Sequence, residues 1–334
     1  MKTAGTGRQT EKVNPDTRHQ TPDTRSQNPD IQHRLNMGSI PAMKVALITG
    51  GVSGMGRAVA DALIQKGGWF VSLLDLNKEA GAEAERTLGK NAQFIQVDVT
   101  SYDQQVAAFE RTVKQFGGID FVFANAGIAG GTDFYDTPKS WPPGPPSSLV
   151  EDVCLRGAAL TSYLAMQYLR RNPEPGGVII MTASGNLKDT VYETAAIYAA
   201  PELPMYTAAK HGVLGLMRAM SQKLGGENIR VNAILPGAIR TTLHSREIWD
   251  QFPQQDFTPV EEVVAAVLGM VEDDRANGKA LEISAGEVFD RRQLDYCNET
   301  MRRIMQGNAE MQTYVRSLDQ TVLTSMSFLT FCNG

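Results

Sequence analysis

Tyr206 and Lys210 stand four positions apart in the stretch PMYTAAKHG, among small residues. On a helix, positions i and i+4 share a face, so the Lys210 ammonium is carried toward the Tyr206 phenol. A cation held there favours the phenolate, and such a tyrosine can take up and release a proton. The same spacing also suits an ordinary amphipathic helix with a tyrosine at its edge, and the pair alone does not separate the two. Tyr192 and Tyr198 compete for the acid role, but neither has a lysine four residues on.

A second chemical pattern lies far upstream. The apolar run KVALIT leads into TGGVSGMG, which puts Gly50, Gly54 and Gly56 at a turn from strand to helix. Missing side chains there let backbone N–H groups and a helix N-terminus approach a pyrophosphate. Glycine also serves plain turns, so the position after a first strand is what gives the pattern its weight. The next apolar run ends in LLDLN, which sets Asp75 where a carboxylate accepts hydrogen bonds from the adenosine ribose. An acid repels a 2′-phosphate and Leu76 offers no cation, so NAD is favoured over NADP. A cap for the following helix is the competing reading of Asp75.

These residues need a frame, and the chain supplies a regular one. From Lys44 onward, short runs rich in β-formers (KVALIT, WFVSLLD, QFIQVDV, IDFVFANAG, VIIMTAS, IRVNAILPG, KALEIS) alternate with longer helical patterns. The runs are nearly continuous in apolar residues, as a sheet covered on both faces requires. Regular strand–helix–strand order implies right-handed crossovers and a Rossmann-type, doubly wound parallel sheet in three α/β/α layers. One such domain is expected over 43–290. A Pro-rich loop, YDTPKSWPPGPPSSLVED, precedes a helix for which Ser147 or Ser148 is the expected N-cap. The segment 291–334 reads as a C-terminal extension, helical over RRQLDYCNETMRRIMQG and ending in the apolar VLTSMSFLTFCNG. That end is expected over the substrate cleft or at a subunit contact.

Bulk properties narrow the function classes. The 334 residues are 42% apolar and 21% charged with a formal net charge of −5, which suits a soluble globular protein with a substantial core. No basic run is present, which argues against nucleic acid or an anionic membrane as partner. Residues 1–42 repeat PDTR and have few apolar side chains, so a disordered tail is expected, with neither a secretory nor a mitochondrial leader pattern. No uncharged apolar run reaches membrane-spanning length. Cys154, Cys297 and Cys332 are few and scattered, which points to a reducing, cytoplasmic setting. His19, His33, His211 and His244 show no metal-ligand spacing, so no metal is expected.

Taken together, TGGVSGMG, Asp75, Asp98 and Val99 in QVDVT, ANAGI, YTAAK and PGAIRT resemble the short-chain dehydrogenase/reductase family over about residues 44–286. YTAAKHGVLGLMR and VNAILPGAIRT are similar to its hydroxyprostaglandin dehydrogenase-like members. The resemblance implies that Tyr206 is the general acid/base, that Lys210 lowers its pKa and bonds the nicotinamide ribose, and that Ser184 bonds the reacting oxygen. It also implies that Gly50, Met55, Asp98, Val99 and Asn125 line the adenosine and ribose side. Pro236, Gly237, Ile239 and Thr241 would then hold the nicotinamide carboxamide.

Two departures stand out. Cys154, in EDVCLRGAAL, occupies the position where the family usually carries an asparagine that fixes a water beside the lysine. A thiol is a poor substitute for an amide in that relay, and Cys154 is also readable as a small core residue. The connection GNLKDTVYETAAIYAAPELPM between Ser184 and Tyr206 is longer than usual for the family and is expected to reshape the substrate pocket. After the nicotinamide strand, Leu243, Ile248, Trp249 and Phe252 offer apolar contacts, with Arg240 and Arg246 as the available cations. The expected activity is interconversion of a secondary alcohol and a ketone on a mostly apolar small molecule, of lipid, terpenoid or polyketide type. A non-redox isomerase, cyclase or dehydratase on the same fold, and a silent dinucleotide-binding protein, are the alternatives. Family analogy implies a homodimer or homotetramer through helices at 147–171 and 204–226.

Overall fold

The computed structural model describes residues 43–130, 132–184, 196–242, 246–251 and 253–306. The N-terminal stretch 1–42, Tyr192, Leu243, Phe252 and the final 307–334 lie outside the described residues, as does the side chain of Ile248.

Among the described residues seven strands run parallel: β1 (Lys44–Thr49), β2 (Trp69–Asp75), β3 (Ala92–Gln96), β4 (Phe121–Ala124), β5 (Gly177–Thr182), β6 (Ile229–Pro236) and β7 (Ala280–Ser284). An eighth, β8 (Glu287–Asp290), pairs antiparallel with β7, and the order across the sheet is 3-2-1-4-5-6-7-8. Between them run α1 (Gly54–Lys66), α2 (Lys78–Leu88), α3 (Tyr102–Phe116), α4 (Ala158–Leu169), α5 (Pro204–Leu224) and α6 (Val260–Glu272), and α7 (Glu299–Gln306) follows β8. The doubly wound parallel sheet expected from the apolar runs is therefore the architecture.

Successive side chains along a strand point to opposite faces, and here both faces are apolar. Leu47, Val122, Ile179 and Val231 pack against α3, α4 and α5, around Phe109, Leu164 and Val213. Ala46, Ile48, Phe121 and Ile180 face the other way, onto α1, α2 and α6, around Leu63, Ala84 and Val267. Local chemistry sets the helix ends. Asn77 caps α2 by accepting from Ala80 N at 3.0 Å, Ser101 caps α3 through Gln104 N, and Pro204 opens α5 where no N–H is needed.

Four details depart from expectation. Ser148 stands at the N-cap position of the short helical turn Leu149–Glu151, its backbone O accepting from Asp152 N at 2.9 Å, but its side chain makes no capping bond. The Ser147 hydroxyl accepts from Leu149 N at 3.3 Å, a local serine turn, while Ser148 donates its hydroxyl to Asp152 at 2.9 Å. The expected helix at 147–171 is broken into a turn at Leu149–Glu151, a π-helical turn at Asp152–Gly157 and α4. Buried Gln105 fits that widened turn, with Nε2 reaching Val99 O at 2.6 Å and Gly157 O at 3.4 Å. The last strand, β8, forms a hairpin whose two loop residues, Ala285 and Gly286, both have positive φ (46° and 91°), the pattern of a type I′ turn. In the segment expected to be helical after 290, α7 is helix and 291–298 is irregular apart from a bend.

Candidate active site

Strand order reverses between β1 and β4, which in an open parallel sheet leaves a crevice at the strands' C-terminal ends. A cleft of about 500 Å³ lies there. Its floor begins at the turn between β1 and α1. Gly50 has φ of 62° and lies so close to β4 that a Cβ would come 3.0 Å from Ala126 Cα. Gly50, Gly54 and Met55 line the cleft, and Gly56 does not. A Cβ on Gly56 would meet Gly50 O at 2.2 Å, so this glycine lets the turn fold back on itself.

Asp75 ends β2 at the cleft wall, beside exposed Leu76. Its carboxylate accepts from Val52 N at 3.4 Å and from Asn77 N at 3.1 Å, which ties it to the glycine turn. The cap of the next helix is Asn77, so that competing role for Asp75 falls away. Asp98 and Val99 also line the cleft, and the Asp98 carboxylate accepts from Thr100 N and Oγ1 at 2.9 and 2.8 Å.

Asn125, just past β4, is fixed from several sides. Its backbone N–H reaches Thr49 Oγ1 at 3.0 Å and its Nδ2 reaches Thr49 O at 3.2 Å and Gly50 O at 3.3 Å. Its Oδ1 accepts from Thr182 Oγ1 at 3.1 Å. Asn125 thereby links the glycine turn to the end of β5. Sequence reading missed Thr49 and Thr182; their only sign was position, each at the last residue of a strand that leads into a motif.

Ser184, two residues beyond β5, lines the same cleft with Tyr206 and Lys210, and all three are buried. Pro204 at N1 puts Tyr206 in the first turn of α5 and Lys210 one turn further on the same face. Lys210 Nζ donates to Thr182 O at 2.9 Å and lies 5.6 Å from the centroid of the Tyr206 ring. Pro236, Gly237, Ile239 and Thr241 form the wall beyond β6. Tyr198 sits apart from this group and takes a hydrogen bond from Arg291 Nη2 at 3.2 Å.

Cys154 lies in the π-helical turn, buried behind the cleft. Its Sγ accepts from Ile128 N at 3.4 Å and donates to Ile128 O at 3.3 Å. The thiol thus serves one donor and one acceptor of the backbone. It also belongs to an apolar cluster with Val150, Leu203 and Tyr206, so its reading as a core residue holds as well. A Cβ on Gly127 would sit 3.5 Å from Lys210 Nζ and 3.6 Å from Cys154 Sγ, so only a glycine's width separates the two side chains.

On the outer side, Trp249 is buried against the cleft, donating Nε1–H to Thr241 O at 2.8 Å and meeting Phe257 edge to face. Arg240 pairs with Asp250 at 3.1 Å and lies over the Phe257 ring, and Arg246 reaches the same carboxylate at 3.6 Å. Among the described residues, no helix is long and apolar enough to cross a membrane.

Comparison with known proteins bears on the family and the fold. The family model described as short chain dehydrogenase matches residues 44–252. Short-chain dehydrogenase/reductase prx7 of Penicillium rubens is 38% identical over 278 residues, covering 75% of this chain and 95% of that protein. The human 15-hydroxyprostaglandin dehydrogenase [NAD(+)] is 28% identical over 267 residues, 73% of this chain and 92% of its own length. Among solved structures, a 3-ketoacyl-(acyl-carrier-protein) reductase from Brucella melitensis complexed with NADH superposes with a TM-score of 0.61 at 26% identity, over 73% of this chain and 97% of that one.

Proposed function

Because the chain belongs to the short-chain dehydrogenase family, we propose that it is an NAD-dependent oxidoreductase interconverting a secondary alcohol and a ketone on a mostly apolar small molecule. The observation that carries this reading is the convergence of Ser184, Tyr206 and Lys210, from separate stretches of chain, on one cleft that begins at a glycine turn.

The cleft suits a dinucleotide. The close-packed glycine turn and the N-terminus of α1 offer backbone N–H groups to a pyrophosphate, and Asp75 offers a carboxylate to ribose hydroxyls. That carboxylate, with Leu76 beside it, disfavours a 2′-phosphate and hence NADP. When bound, a nicotinamide ring accepts or supplies hydride, and the protein's part is position and protons.

In the oxidative direction Tyr206 takes the hydroxyl proton of the alcohol, and in the reductive direction it returns a proton to the carbonyl oxygen. Lys210, fastened to Thr182 O, keeps a positive charge close to the phenol and stabilises its anionic form. Ser184 donates a hydrogen bond to the reacting oxygen and stabilises charge that develops there. Ile128, Val153, Ile239 and Trp249 give the cleft apolar walls. Neither nearby arginine lines the cleft, which favours an uncharged lipid-, terpenoid- or polyketide-like substrate.

A panel of secondary alcohols and ketones tested with NAD and NADP, followed by the absorbance of reduced nicotinamide and by product mass, tests the proposal. Product differing from substrate by two hydrogens, with NAD preferred, is expected. Conversion with unchanged mass would replace redox chemistry by isomerisation.

A further inference from the structure

Arg291 lies just past β8, outside the cleft, yet its guanidinium touches the chain segment that joins two of the cleft's key residues. That segment, 196–203, is tied at both ends. Ala196 N donates to the carbonyl of Ser184 at 3.3 Å, while Leu203 O accepts from Thr207 N at 2.9 Å and Ala200 N donates to Thr207 Oγ1 at 3.1 Å. Ala200 and Leu203 pack in one cluster with Tyr206. Tyr198, midway along, instead turns outward and is 37% exposed.

The anchor on the other side is rigid. Arg291 Nε pairs with buried Glu282 of β7, its backbone N–H reaches Ala280 O at 2.8 Å, and its guanidinium lies 5.0 Å from the centroid of Phe289. Arg218 of α5 donates to Arg291 O at 3.1 Å. Nε of the fork serves Glu282, and Nη2 serves the Tyr198 hydroxyl at 3.2 Å. A lysine ammonium can keep the charge beside Glu282 but does not reproduce the fixed planar spacing of Nε and Nη2.

We infer that Arg291 is a positioning residue for substrate binding, holding the 196–203 segment docked between Ser184 and Tyr206 through the hydroxyl of Tyr198. The inference rests on the proposed function of the cleft and adds to it a role for the chain beyond the sheet. Substrate binds only the docked form, so loosening the segment weakens apparent affinity by the fraction undocked, while saturating substrate restores docking and leaves kcat unchanged.

The test compares Tyr198→Phe, Arg291→Lys and the double variant, each keeping a cation beside Glu282. The expected result is faster hydrogen exchange at the Ala196 and Ala200 amides by about threefold to tenfold. KM for the preferred secondary alcohol should rise by a factor of about two to five, with kcat and the Kd for NADH unchanged. The double variant should be no worse than either single one, because both remove the same bond. Unchanged exchange, faster exchange with unchanged KM, a lowered Tm with wild-type kinetics, or effects that multiply in the double variant would each overturn the inference. Failure of the cleft reading itself looks different: no two-hydrogen product from the wild type, or full activity in Tyr206→Phe. In the former case the exchange rates alone decide the docking role.

Discussion

Lys210 is moored to Thr182: its ammonium donates to that residue's backbone carbonyl at 2.9 Å, at the very end of β5 and two residues before Ser184. The helix that carries Tyr206 and Lys210 is thereby fastened to the strand that leads into Ser184. A buried lysine is expensive to desolvate unless its donors are used, so this bond also keeps the cation in place beneath the Tyr206 ring.

Lys210→Met keeps the volume and removes the charge. We expect kcat to fall by about 10²–10⁴-fold, the range for loss of effective acid–base assistance. In alcohol oxidation, where the phenolate is the base, the acidic limb of the remaining activity should move to higher pH, because a phenol without a nearby cation ionises later. A pH–rate profile of the variant checks both.

Asp75→Ala removes the carboxylate at the end of β2. Loss of charged hydrogen bonds to ribose should weaken NAD binding roughly 10- to 100-fold. NADP binding should hold or tighten, because repulsion of the 2′-phosphate is gone. Titrating both dinucleotides against the variant reads the change in preference.

Much of this arrangement was legible in the sequence, for identifiable reasons. Strands covered on both faces are continuous apolar runs, and those of β1, β2, β5 and β6 are long enough to be unmistakable. The chemistry-bearing residues lie at strand ends or on one helix face, where spacing alone fixes their relation. What sequence hid was structure made by the backbone. The β8 strand has four exposed residues and no alternation to reveal it. The π-helical turn at Asp152–Gly157 keeps a helical composition while shifting register by part of a turn. Thr182 escaped notice because what it offers Lys210 is a carbonyl, which every residue has.

Cys154 gives a graded test of that hidden register. Its thiol bridges Ile128 N and O. Cys154→Ser keeps a donor and an acceptor and should stay close to wild type in Tm. Cys154→Ala leaves both Ile128 groups without this partner and should cost about 1–2 kcal/mol. Denaturant unfolding of the two variants separates these outcomes.

Ala285 holds φ of 46° in the β7–β8 hairpin, a conformation that costs a side-chain-bearing residue about 1–2 kcal/mol. Asparagine before glycine is the preferred pair for a turn with two positive φ values. Ala285→Asn should therefore stabilise the protein by about 0.5–1 kcal/mol, read as a raised Tm with unchanged kinetics.

The central claim is that Tyr206 moves the proton in a cleft that holds NAD. The most direct measurement is turnover of Tyr206→Phe alongside its affinity for NADH. The account predicts that oxidation of the preferred alcohol falls to background while NADH binds as to the wild type. A variant that turns over at the wild-type rate would contradict it.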